Sequence, residues 1–234
     1  MAEFIFMLTW HDATVPNALQ VYDEIRSLPL KYVGFKDIGQ PAHVLRRLAD
    51  EMHTDGREVM LEVVSEHVED ELRSIAAARE IGVDWVLGGT HPDEALALLE
   101  GSGLHYCPFP GTIVGHPSVL TGSIAEIAES ARSLTARPGV HGLDLLAYRY
   151  GGDVEHLIGD VLAAASGPII AAGSVDSIER IRALNRMGVW AFTVGGAVFE
   201  HRFPAGASVR EQVACVLAAA REGSLEHPEE VVLD

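Results

Sequence analysis

The sequence predicts an α/β fold, a single closed (β/α)8 TIM barrel, and three observations carry that expectation. Short apolar, β-branched runs alternate with longer amphipathic stretches about eight times. The runs begin on average about 27 residues apart, the length of one strand and one crossover helix. An open nucleotide-binding sheet would carry a glycine-rich turn after its first strand, but the residues there are Thr9, Trp10, His11, Asp12 and Ala13.

The expected strands are Phe4–Thr9, Tyr32–Lys36, Val59–Val64, Asp84–Leu87, Leu104–Cys107, Val140–Leu146, Pro168–Ala172 and Trp190–Val194. Helical periodicity lies between and after them, over Ala18–Ser27, His43–Met52, Val68–Ile81, Pro92–Leu99, Ile124–Leu134, Val154–Ala165, Ser177–Met187 and Val209–Ala220. Gly, Pro, Asn or Asp punctuates most junctions, as at Gly82 before Asp84 and at Pro138-Gly139. The barrel is expected over residues 1–221 and an acidic C-terminal tail over 222–234.

Composition excludes several function classes. The 234 residues carry 17 basic against 34 acidic side chains, a formal charge of −17, so general electrostatics do not favour nucleic acid or an anionic membrane. No apolar run reaches the roughly 18 residues of a membrane-spanning helix, and Phe4–Trp10 is too short for a signal-peptide core. Two cysteines are too few for a disulfide framework or a cysteine-rich zinc site. A soluble, cytoplasmic protein is expected, without nucleic acid or membrane as partner and with a homo-oligomer open.

Chemistry in such a barrel sits at the C-terminal strand ends. The seventh expected strand runs into Gly173-Ser174 and the eighth into Gly195-Gly196. Glycine lets the backbone approach an anion, and N–H groups that open a helix can donate to it. A phosphate can therefore be held without lysine or arginine, despite the negative net charge. The alternative is that these glycines only make tight strand-to-helix turns.

The Ala172-Gly173-Ser174-Val175 and Thr193-Val194-Gly195-Gly196-Ala197 runs resemble those of the ribulose-phosphate-binding barrel superfamily. The specific motifs cover residues 168–199, while the architecture covers the whole chain. The resemblance implies that Gly173, Ser174, Gly195 and Gly196 hold the phosphate of a sugar-phosphate-like ligand. It leaves the subfamily open. No His-x-Asp pair marks the chain as a metal-dependent ribulose-phosphate epimerase, no Asp-x-Lys-x-x-Asp run marks an orotidine-phosphate-type decarboxylase, and there is no Glu-x-Lys pair near the first strand. Gly34-Phe35-Lys36-Asp37 resembles the lysine strand of N-acylmannosamine-6-phosphate epimerase, but Ala172 stands where that family has an acid.

Charged residues inside apolar strands need a partner or a functional mouth. Lys36, one of only two lysines beside 15 arginines, ends the second strand, and Glu62 lies in the third. Neighbouring strands bring them together, where a carboxylate can accept a proton while the cation stabilises an enolate. A desolvated lysine can instead form a Schiff base, and a purely structural ion pair is the third reading. His91 follows Gly88-Gly89 at the fourth strand end and is read as an acid/base or a helix-start residue. Asp144 in the apolar sixth strand is read as a pocket acid or a buried hydrogen-bonding group. Arg149 can grip a carboxylate or second phosphate, or be solvated. His116 lies in a Gly- and Pro-rich loop that can cover the mouth, or simply sits on the surface. Asp37 is expected to face outward.

His11, Asp12, Glu62, His91 and His116 can all reach one mouth, but none falls into a recognised ligand spacing, so neither metal nor cofactor is expected. The functional expectation is a cofactor-independent isomerase, epimerase or carbon–carbon lyase. It would act on a small phosphorylated sugar or sugar acid through an enediolate or a Schiff base. Lys36, Glu62, His91 and Asp144 are the catalytic candidates, and His116 and Arg149 the substrate contacts. The alternatives are a non-catalytic phosphometabolite-binding barrel, or subunit of a larger enzyme, and a metal-dependent sugar-phosphate enzyme.

Overall fold

Eight parallel strands form a nearly closed barrel in the computed structural model, which describes residues 1–65, 67–115 and 117–222. The strands are β1 (Glu3–Met7), β2 (Tyr32–Phe35), β3 (Glu58–Val63), β4 (Trp85–Gly88), β5 (His105–Cys107), β6 (Leu143–Leu145), β7 (Ile169–Ala171) and β8 (Ala191–Val194). They neighbour one another in chain order, and β8 returns beside β1 with Phe4 opposite Phe192. At the seam between β5 and β6, His141 N–H donates to Tyr106 O (2.8 Å) and Asp144 N–H to Pro108 O (3.1 Å).

The helices are α1 (Ala18–Ile25), α2 (Ala42–Thr54), α3 (Val68–Ile81), α4 (Pro92–Leu99), α5 (Ile124–Thr135), α6 (Val154–Ala164), α7 (Ile178–Met187), the single turn α8 (Gly196–Phe199) and α9 (Val209–Glu222). Local chemistry explains several boundaries. Ser123 and Glu126 form a reciprocal capping box at the start of α5, while Gly82 and Gly188 end α3 and α7 in the left-handed conformation.

Strand alternation sorts side chains between two cores. Phe4, Phe6, Val33, Phe35, Val59, Leu61 and Leu143 pack outward under the helices. Ile5, Met7, Tyr32, Met60, Trp85, Leu87, Cys107 and Ile170 fill the barrel. The same period of two directs Lys36, Glu62 and Asp144 inward, two residues beyond Gly34, two beyond Met60 and one beyond Leu143. Asp37 faces outward as expected and accepts a hydrogen bond from Ser74 Oγ (2.5 Å) on α3. Trp85 stacks between Trp190 (5.2 Å) and His105 (4.2 Å) at the N-terminal strand ends, so the barrel is plugged there.

Some expected boundaries move. The first strand stops at Met7, because Thr9–Trp10 pairs instead with Ala13–Thr14 as an antiparallel ribbon. The sixth begins at Leu143, whose N–H donates to Pro168 O (2.9 Å), after Gly142, where a Cβ would sit 2.5 Å from that oxygen. A second ribbon, Thr112–Val114 with Val119–Thr121, occupies the loop expected to cover the mouth. Ribbon strands of two or three residues are too short to produce a readable alternation. The acidic tail after Glu222 and His116 lie outside the described residues. No helix among the described residues is long and apolar enough to cross a membrane.

Candidate functional site

A cavity of about 360 Å³ opens at the C-terminal strand ends. Lys36, Glu62, Arg149, Gly173, Ser174, Gly195 and Gly196 all line it, together with Asp12, which the sequence suggested only as a metal ligand. Residues from β2, β3 and the turns after β6, β7 and β8 thus meet in one space.

Asp12 reaches this space through a tight turn. His11 and Asp12 adopt φ values of 48° and 58°, the left-handed pair that a two-residue hairpin loop requires. Neither is glycine, but His and Asp are among the residues that tolerate this region. Thr14 then ties the ribbon to β2: its Oγ1 donates to Lys36 O (2.6 Å) and accepts from Lys36 N (2.9 Å). Asp12 Oδ1 consequently sits 2.8 Å from Lys36 Nζ, closer than Glu62 Oε2 at 3.6 Å. Arg149 Nη2 lies 3.9 Å from the same Asp12 oxygen. The Lys36 side chain is only 4% exposed, so two carboxylates compensate one nearly buried cation.

Arg149 comes from a single helical turn after β6, Ala147–Arg149, and its Nη1 donates to Ser118 O (3.3 Å). It crosses the end of β7 directly over Gly173, where a Cβ would meet Arg149 Cγ and Cδ at 2.9 Å. Gly173 and Ser174 are both left-handed, with φ of 72° and 57°. Gly195 turns the chain beneath Thr9, whose Oγ1 a Cβ would approach to 2.6 Å; at Gly196 the nearest atom would be Trp10 Cδ1 at 3.6 Å. The two glycines therefore differ: Gly195 is bare because backbone packs against it, whereas Gly196 leaves space at the cavity wall. Asp176, also on the wall, is met by Arg180 (2.7 Å) and Arg202 (3.4 Å).

Asp144 is close to this group but does not line the cavity. Its side chain is fully buried, and neither carboxyl oxygen has a hydrogen-bond partner among the described residues. Burial first, and then the Glu62 carboxylate, push its carboxyl well above the usual range, against the opposing pull of Lys36 and Arg149.

His91 is not brought to the cavity. It stands before α4, and its Nδ1 lies 2.8 Å from Glu71 Oε2. Glu71 is itself fully buried and also accepts from Thr90 N (2.9 Å) and His91 N (3.0 Å). The pair secures the Gly88–His91 turn to α3, so the helix-start reading of His91 fits its surroundings. Glu71→Ala is expected to destabilise the protein by about 2–3 kcal/mol by stripping those donors of their acceptor. Urea denaturation measures this, and an unchanged midpoint would refute the assignment.

The sequence pointed to Lys36 and Glu62 through their polarity within apolar strands, and the glycine turns marked the opposite wall. It did not single out Asp12 as the nearest partner of Lys36. The available signal was His11-Asp12, a left-handed-tolerant pair directly after an apolar strand. No group of three metal-ligating side chains occurs among the described residues.

No protein-family model and no curated protein matches the chain. Solved structures do match it in fold. The native KDPGal structure superposes with a TM-score of 0.65 at 17% identity, covering 94% of this chain and 95% of the other. Orotidine 5′-phosphate decarboxylase from Pyrococcus horikoshii OT3 gives 0.67 at 14% identity, covering 93% and 99%. A cube-shaped porous cage, designed by fusing symmetric oligomeric domains, gives 0.66 at 16%, covering 95% and 73%. The fold of this chain is that of a (β/α)8 barrel, which it shares with these structures.

Proposed function

We propose that the protein is a cofactor-independent enzyme that moves a proton next to a carbonyl in a small phosphorylated sugar or sugar acid. The observation that carries this reading is the Asp12–Lys36–Glu62 cluster on the cavity wall, with Nζ 2.8 Å and 3.6 Å from the two carboxylates. The loops at Gly173-Ser174 and Gly195-Gly196 anchor the phosphate, with Arg149 available to a second acidic group. Two neighbours in fold support an assignment to sugar-phosphate-type chemistry: the decarboxylase, whose name carries a phosphorylated substrate, and KDPGal.

In the proposed reaction Glu62 or Asp12 takes the proton from the carbon beside the carbonyl. Lys36 donates to the oxygen on which negative charge develops, in a site largely withdrawn from water. Because the carboxylates come from separate elements, one can remove the proton and the other return it, as inversion by an epimerase requires, while an isomerase needs only one of them. Lys36 Nζ donates to Asp12 Oδ1 (2.8 Å), held between two carboxylates where it can meet a developing oxyanion. This favours the enediolate route over the Schiff base, and isomerisation, epimerisation or carbon–carbon cleavage can each pass through an enediolate.

The test is incubation with phosphorylated ketoses and sugar acids in D2O, followed by NMR. Deuterium is expected at the carbon beside the carbonyl, and incorporation is expected to survive exhaustive chelation, since no ligand spacing in the chain selects a divalent ion. Absence of exchange in every phosphorylated carbonyl compound tried would overturn the proposal. Loss on chelation with recovery by one metal would favour the metal-dependent alternative.

A further inference from the structure

Asp144 is a fully buried, inward-facing acid that the proposed reaction does not use. A fully buried carboxyl with two unpartnered oxygens is costly as an anion and much less so as a neutral acid. Its surroundings point the same way. The charged groups beside it are Glu62 on β3, Lys36 at the end of β2 and Arg149 after β6, with the Cys107 thiol on β5 as a further titratable neighbour. Lys36 and Arg149 already face Asp12 and Glu62 in ion pairs of 2.8, 3.6 and 3.9 Å, so neither cation is left to Asp144 alone. An ionised Asp144 would add a negative charge to this cluster beside the cavity. That added charge would repel an anionic ligand.

We propose that Asp144 is a positioning residue that holds a proton in the resting protein, keeping a further negative charge out of the inner cluster so that the cavity can receive an anion. This rests on the phosphate-anchor reading above and extends it: binding of the anion and retention of the Asp144 proton are linked. By reciprocity, an anion in the cavity raises the preference of Asp144 for its proton, and loss of that proton weakens the anion. Asp144 never touches the ligand and acts only through Glu62, Lys36 and Arg149.

The linkage has a definite sign. A carboxyl raised above its unfolded value makes stability fall as pH rises from about 4, where the unfolded chain begins to release the proton, up to its folded value. Asp144→Asn keeps the shape of the neutral acid and removes this loss. The melting temperature of the variant should therefore exceed that of the natural protein by a margin that grows with pH over that window.

The deciding experiment uses the full chain labelled with carbon-13 at aspartate carboxyls, titrated by NMR from about pH 4 to pH 9 with and without sulfate. Sulfate keeps a constant charge over that range. The Asp144 resonance is assigned by its absence from Asp144→Asn or, if that variant does not fold, from Asp144→Glu. The expected result is a protonated Asp144 at pH 7 whose midpoint rises further in saturating sulfate. Sulfate affinity should fall up to about tenfold per pH unit above the midpoint, and this dependence should vanish in Asp144→Asn. The comparison is made with His11→Gln in both proteins, because His11 also lines the cavity.

An Asp144 already ionised at pH 7 without sulfate overturns the proposal. So does a midpoint that sulfate leaves unmoved while sulfate stabilises the protein. Sulfate that fails to stabilise at any pH refutes the phosphate anchor and the linkage to it, and the sulfate-free titration still decides the resting proton.

Discussion

Lys36→Met is expected to lower turnover by about 100- to 1,000-fold, the cost of removing one preorganised donor from a developing oxyanion. Nζ is the only atom of the side chain that methionine cannot imitate in size, so the loss reads the charge and the hydrogen bond rather than the packing. Stability should fall by about 1–3 kcal/mol, because Asp12 and Glu62 lose their shared cation. Both carboxylates retain some solvent contact, with side chains 15% and 14% exposed, and water recovers part of the cost. Glu62→Gln should be gentler on stability, since Asp12 still holds Nζ at 2.8 Å. A Lys36→Met protein that folds and turns over at the natural rate would eliminate the proton-transfer mechanism. Full stability with abolished turnover would show that the pair is not structural at all.

Gly196→Asp is expected to abolish stabilisation by sulfate and by phosphorylated sugars while shifting the melting temperature of the free protein little. The new carboxylate would project into the cavity wall, where a Cβ meets nothing closer than 3.6 Å, and would repel the anion. Position 195 is a poor place for the same test. Its Cβ would press on Thr9 and disturb the ribbon that delivers Asp12, mixing lost binding with a displaced charge. Thermal denaturation with and without ligand separates the two effects. Undiminished ligand stabilisation in Gly196→Asp would move the phosphate away from the β7 and β8 loops.

Much of the fold was legible because its determinants are local. Alternation along each strand follows from backbone geometry, so the inward parity of Lys36, Glu62 and Asp144 needed only a correct strand assignment. The glycines after β7 and β8 were readable as turns, but only the structure separates the left-handed Gly173 and the Gly195 pressed by Thr9 from Gly196, which leaves space. The ribbons were not legible: strands of two or three residues bury too little to impose a pattern on composition. His91 misled because a histidine after two glycines looks the same whether it faces a cavity or closes on a buried glutamate 20 residues earlier.

The sequence by itself determined the barrel, the strand ends at which its candidate residues gather, and the polar residues that face inward, since each depends on periodicity within one strand or one turn. Only the tertiary structure decided who meets whom. Asp12 and Lys36 are 24 residues apart and join because a left-handed turn and the two hydrogen bonds of Thr14 fold the ribbon over β2. Asp144 is cut off from solvent only once the barrel closes, with Glu62, Lys36 and Arg149 near enough to act on its charge, and no local pattern encodes that enclosure. Charge–charge contacts depend on distances across the whole barrel, and those exist only once every strand is in its place.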